Sequence, residues 1–186
     1  MAFITDGAGN VTSYCDASDV KDKDQRVFES NEISYSDAPD TPTTLDEYIE
    51  DLATKGTNRI NQKIRASAKW RQYLGYTGEG IVDINNIPAF NPNRIVSRQA
   101  DFSDMCSYYT LKEYILPKVA DFGDELSPEV QKIQYYENKF QDLYTELTDM
   151  WDWYDREGDG IDNEDRMVSF RTNRRTRNKS NTTRVR

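Results

Sequence analysis

The chain has 186 residues, enough for one core of useful size plus an extended tail, and its 24 Lys and Arg against 33 Asp and Glu give a formal charge of −9. The absence of histidine excludes Ser-His and Cys-His nucleophile pairs, an imidazole base and every His-ligated metal site. No stretch approaches the ~20 apolar residues of a membrane helix, and the start MAFITDGAGN lacks a basic segment followed by an apolar run, so neither a membrane nor secretion is expected.

In YCDASDVKDKDQRVFES, Asp16 is placed as an N-cap with Asp19 three residues on, and Val20, Val27 and Phe28 lie on one side, which predicts a short first helix. Pro39 and Pro42 punctuate the polar linker SNEISYSDAPDTPTT, and Thr43 or Thr44 caps the next element. Leu45, Tyr48, Ile49, Leu52, Ile60 and Ile64 recur at helical steps, predicting a second helix from near Leu45 to Leu74, with Gly56 marking a close crossing. Gly75, Gly78 and Gly80 break that pattern, and residues 75–96 read as a loop or hairpin excursion; no Gly-Lys-Ser/Thr makes them a phosphate loop.

A third helix from about Ser97 carries Phe102, Met105, Cys106, Tyr109 and Leu116 until Pro117 kinks or ends it. The fourth is the clearest: Ser127 caps, Pro128 opens and Glu129 favours the positive helix end. Ile133, Tyr136, Phe140, Leu143, Leu147, Met150 and Tyr154 then follow at alternating steps of three and four, a heptad-type seam that packs in the core or between subunits. A helix from Pro128 to about Arg156 would be roughly 43 Å long. The expected fold is mainly α, a bundle of about four helices over residues 1–170, followed by a long extended tail at 171–186.

That tail, RTNRRTRNKSNTTRVR, holds Arg171, Arg174, Arg175, Arg177, Lys179, Arg184 and Arg186 and no acidic residue, which leaves −16 on residues 1–170. With Val185 as its one apolar side chain it cannot bury enough surface to fold alone. It reads as a nucleic-acid arm, as a peptide that orders on an acidic protein partner, or as a solvated end. Extended, it reaches on the order of 50 Å, enough to cross onto a neighbouring subunit. The body is also lean: its 36% hydrophobic share is below the roughly 45–50% of a typical domain, and 12 Tyr, 7 Phe and 3 Trp suit a wet interface as well as a core.

Sites for chemistry are weak. DREGDGIDNEDR places Asp155, Glu157 and Asp159 at alternating positions before Gly160, as a calcium loop would, but Arg166 falls where a bidentate Glu is required and Ile161 comes one residue early. Asp149, Asp152 and Asp155 beside Trp151 and Trp153 suggest a sugar site run by two acids, yet the same residues fit the solvent face of an amphipathic helix. Cys15 and Cys106, far apart and without CxxC spacing, read as reduced structural thiols. No hydrolase, metalloprotease or dinucleotide fingerprint occurs, so neither catalysis nor a cofactor is expected.

The order of elements, an opening YCDASDV, a polar linker and then LDEYIEDLATKGTNRINQKIRAS, resembles the head-tail connector, or adaptor, proteins of tailed bacteriophages. In that family a Tyr-Cys-x-x-x-Asp-Val-like start precedes a helix with an acidic, Ile-containing opening and a later Arg-Ile pair. The matching positions here are Tyr14, Cys15, Asp19 and Val20, then Ile49, Glu50, Arg59 and Ile60. The resemblance covers roughly residues 14–74; the longer linker, the 75–96 excursion and the basic end depart from compact members. It implies a subunit of a dodecameric ring in the virion neck, made in the host cytoplasm, with the portal protein above, a tail or head-closure protein below, and double-stranded DNA passing through without sequence specificity. Two alternatives remain from the residues themselves: a nucleic-acid-binding accessory protein with a basic tail, and a calcium-regulated helical module.

Overall fold

Asp16 opens the first helix with a reciprocal capping box: its carboxylate accepts the Asp19 amide at 2.7 Å and the Asp19 carboxylate accepts the Asp16 amide at 3.3 Å. The computed structural model describes residues 3–30, 33, 44–76, 87–123 and 127–155, and these are mainly helical. The tail cations from Arg171 to Arg186, the calcium-like loop beyond Asp155, both prolines of the 31–43 linker and residues 77–86 of the excursion lie outside them.

Before that helix comes an antiparallel hairpin that the sequence reading did not include, β1 (Ile4–Thr5) with β2 (Val11–Ser13). Its turn is held by the Asp6 carboxylate, which accepts the amides of Ala8 and Asn10 at 2.9 and 2.8 Å, and by Gly9 at φ 81°. The helical stretch then divides into α1 (Ala17–Lys23) and α2 (Gln25–Ser30) at Asp24, whose carboxylate pairs with Lys132 at 2.7 Å.

The long second helix also divides. Thr44 caps α3 (Leu45–Ala66) by accepting the Glu47 amide at 3.2 Å. Ser67 then stops it, its hydroxyl donating to the Ile64 carbonyl at 2.7 Å and accepting the Trp70 amide at 3.0 Å, so one serine ends α3 and starts α4 (Ala68–Tyr76). The break turns Trp70, Tyr73 and Leu74 into the core.

α5 (Gln99–Thr110) begins after Arg98, a non-glycine residue at φ 56°. It continues through a π turn (Leu111–Ile115) into the short α6 (Leu116–Val119). Pro117 explains that turn: lacking an N–H and crowding the carbonyl four residues back, it is accommodated when the preceding backbone widens. α7 (Pro128–Met150) ends short of Arg156, because Trp151 turns left-handed at φ 54°. The Leu147 carbonyl there accepts both the Trp151 amide at 3.3 Å and the Trp153 indole N–H at 2.8 Å. Ser127 precedes α7 but does not cap it with its side chain, which donates instead to Glu129 at 2.8 Å. Past Trp151 the chain runs back antiparallel to residues 94–96, with Val96 N–H to Trp153 C=O at 3.0 Å and Asp155 N–H to Arg94 C=O at 2.8 Å.

α5 is the central helix, packed by α1, α3 and α7. The lean composition still fills this core because a few large rings do the filling: Trp70, Trp153, Tyr14, Tyr73, Phe102 and Phe140 are all fully buried. Trp151 stacks on Tyr73 with centroids 4.8 Å apart, and Trp153 meets Phe102 edge to face at 4.6 Å, so the return segment closes one end of the bundle.

Candidate partner-binding surfaces

The predicted seam along α7 is divided by the fold. Tyr136, Phe140 and Leu147 are buried against the other helices, Ile133 and Leu143 are half-buried at the edge of the core, and Met150 is 50% exposed at the helix end. Tyr154 is buried but lies beyond the helix, facing Phe90 at 5.3 Å rather than continuing the stripe. Arg98 secures this end of α7: it pairs with Asp101 at 2.6 Å and with Glu146, and its guanidinium also reaches the Met150 sulfur at 3.6 Å.

A second arrangement, which sequence reading missed, centres on the π turn. Lys112 is only 6% exposed, yet its ammonium pairs with Glu113 at 2.8 Å and with Glu137, over the rings of Tyr109 and Phe140 at 4.8 and 5.1 Å. Lys63 of α3 lies over the same two rings at 5.4 and 5.0 Å. Burial pushes the Tyr109 phenol up to about 12, aided by the neighbouring Glu113 carboxylate. Glu137 goes the other way: burial raises it, but hydrogen bonds from Lys112 and Gln141 outweigh burial and hold its carboxyl below the ordinary value of 4.5.

Beside this cluster runs an open groove of about 490 Å³, lined by Arg59, Gln62, Lys63, Tyr109, Glu113 and Tyr114. Its basic wall belongs to the exposed face of α3, where charge is segregated. Asp46, Glu47, Glu50 and Asp51 occupy the first two turns, and Lys55, Arg59, Lys63 and Arg65 the remainder. Arg59 donates to Gln62 at 3.3 Å. Neither Arg59 nor Lys63 has a carboxylate within ion-pair distance among the described residues, whereas Lys21, Lys23, Lys69, Arg98, Lys112 and Lys132 all do. The segregation is visible in the sequence; the groove that gives it a shape is not.

The residues considered for chemistry separate in space. Asp149 pairs with Lys69 at 2.5 Å, Asp152 lies 3.8 Å from Arg98, and Asp155 is buried in the return segment, so the three do not face a common cleft. Among the described residues no group of three His, Cys, Asp or Glu is placed to hold a metal ion. Cys15 and Cys106 are free, buried and adjacent: the Cys106 sulfur lies 3.4 Å from the Thr57 hydroxyl, and hydrogen bonding to Cys106 together with burial raises the Cys15 thiol far above its usual range. Such thiols belong to the packing. Among the described residues no helix is long and apolar enough to cross a membrane.

Comparison of the chain with protein-family models, with curated proteins and with solved structures gives no match.

Proposed function

We propose that the chain is a structural virion component, a head-tail adaptor whose copies form a dodecameric ring between the portal and the tail or neck, with double-stranded DNA passing through the centre. The observation that carries this reading is the resemblance at Tyr14, Cys15, Asp19, Val20, Ile49, Glu50, Arg59 and Ile60. Its two halves pack on each other in the fold. The Tyr14 amide donates to the Thr57 hydroxyl of α3 at 3.1 Å and its phenol to Asn61, while Tyr14, Cys15, Val20, Ile49 and Ile60 are all buried. Glu50 and Arg59, the exposed members, remain on the outer face of α3.

The charge balance fits the role. A body carrying −16 over residues 1–170 repels phosphate, so a duplex slides past it, whereas a basic wall would hold DNA at low salt. The seven cations of residues 171–186 then serve as an arm for an acidic surface of the portal or of an adjacent subunit, arginine being suited to bidentate pairing with carboxylates. The test compares the full chain with a chain cut after Phe170, each mixed with a candidate portal ring at physiological salt. Portal capture that is lost on truncation is the expected result; an assembled ring unchanged without residues 171–186 removes the proposed role of the tail.

A further inference from the structure

The exposed face of α3 orders its charges in a way that local helix physics only partly explains. A helix dipole favours acids in the first turn and bases in the last, and its influence fades within that turn. This accounts for Asp46 and Glu47 at one end and for Lys63 and Arg65 at the other. The dipole does not account for Glu50 in the second turn or for Arg59 in the middle of the helix, whereas Asp51 and Lys55, four residues apart with the acid first, have the spacing of a favourable pair on one helix. Asp51, Lys55, Arg59 and Lys63 follow one another at four-residue steps, along the ridge by which helices pack against partner helices.

These groups do not satisfy one another. Eight residues separate Asp51 from Arg59, about 12 Å along the axis, too far for a pair within one helix. Arg59 bonds to Gln62, and Lys63 rests on the rings of Tyr109 and Phe140. A body with a large excess of acid thus keeps two neighbouring cations with no carboxylate at ion-pair distance among the described residues, Lys63 acting on the Glu137 carboxylate only from further off, at the edge of an open groove with aromatic walls. Glu113 also lines that groove, but its carboxylate is paired with the Lys112 ammonium at 2.8 Å, which leaves Arg59 and Lys63 as the charges the groove offers to an incoming carboxylate.

We propose that α3 is a contact between subunits, in which the groove bearing Arg59 and Lys63 on one copy receives Glu50 and Asp51 of a second copy of this chain. The inference rests on the self-assembly contained in the adaptor reading and names the surface through which it occurs. One copy offers both halves of the contact, so a ring repeats it at every junction.

Complementary charge reversal tests it, with association followed by sedimentation velocity over a concentration series. Arg59→Glu with Lys63→Glu yields one variant, and Glu50→Lys with Asp51→Lys the other. Each alone is expected to associate at least about tenfold more weakly than the natural chain. An equimolar mixture is expected to recover association, since every junction again joins opposite charges. The neutral pairs Arg59→Gln with Lys63→Gln, and Glu50→Gln with Asp51→Asn, guard against misfolding and are expected to weaken association in the same direction. Either reversed variant associating like the natural chain overturns the proposal, as does a mixture of folded variants that fails to recover. Association untouched by the substitutions leaves the adaptor reading standing without this surface. A natural chain that stays monomeric at its solubility limit and is not captured by a portal removes both. Loss of DNA binding in the Arg59 and Lys63 variant with association intact assigns the groove to nucleic acid instead.

Discussion

Gly56 is held against α5 by lack of room. A Cβ built there would lie 3.0 Å from the Thr110 hydroxyl, 3.5 Å from the Tyr109 ring and 3.8 Å from the Cys106 sulfur, all within the closed core. Gly56→Ala gains about 1 kcal/mol of helix propensity and loses more to crowding, for a net destabilisation of about 1 kcal/mol; Gly56→Leu costs on the order of 3 kcal/mol or more. Chemical denaturation of the two variants checks this, and a stabilised Gly56→Ala would show that the crossing is looser than described. Trp151 carries a different strain, a large side chain at φ 54° whose ring is nevertheless stacked on Tyr73. Removing the ring costs about 3–5 kcal/mol, but Trp151→Gly also releases the left-handed backbone. It should therefore be about 1 kcal/mol less damaging than Trp151→Ala. Equal losses would mean that the strain is absent.

At the scale of elements, the π turn brings a buried cation into contact with α7, and that contact is pH-sensitive. The folded Glu137 carboxyl is held below its ordinary 4.5, so its contribution is complete above that value and is lost as pH falls through the lower folded one. Glu137→Gln should lower stability by about 1 kcal/mol at neutral pH, the size appropriate to a half-exposed carboxylate. Thermal midpoints of the two proteins should converge in acid; a gap that persists unchanged to low pH would assign the loss to packing. The elements themselves were legible where a cap or a period decides them: Asp16, Thr44, Pro128 and the close crossing at Gly56 all stand as the sequence indicates. Other features were not. Ser67 divides the second helix through hydrogen bonds that a polar residue on an amphipathic pattern does not announce. Trp151 ends α7 because the core recruits Trp153 and Tyr154, so the heptad continues in sequence while the helix does not. The hairpin at residues 4–13 is too short for alternation to declare it. In the candidate surfaces, Arg59 entered only through the resemblance, and the charge order of α3 stands in the sequence without being singled out from it; the burial of Lys112 depends on the π turn and on rings from two helices.

The whole molecule is an acidic helical body with its acids and bases sorted, along α3 and again between the body and the last sixteen residues. Sorting of this kind offers opposite charges to a partner, and screening makes any resulting assembly sensitive to salt. Association of the natural chain should therefore weaken as salt rises, while the isolated fold, whose core is aromatic and apolar, should keep its thermal midpoint over the same range. Parallel loss of both would tie the charges to folding rather than to assembly. The most direct measurement is negative-stain imaging of the full chain mixed with a candidate portal ring at physiological salt. A second ring of density seated on the portal, with a central opening wide enough for a duplex, is the expected result. Bare portal rings, together with salt-sensitive DNA binding by the free chain, would contradict it and identify a nucleic-acid-binding accessory protein.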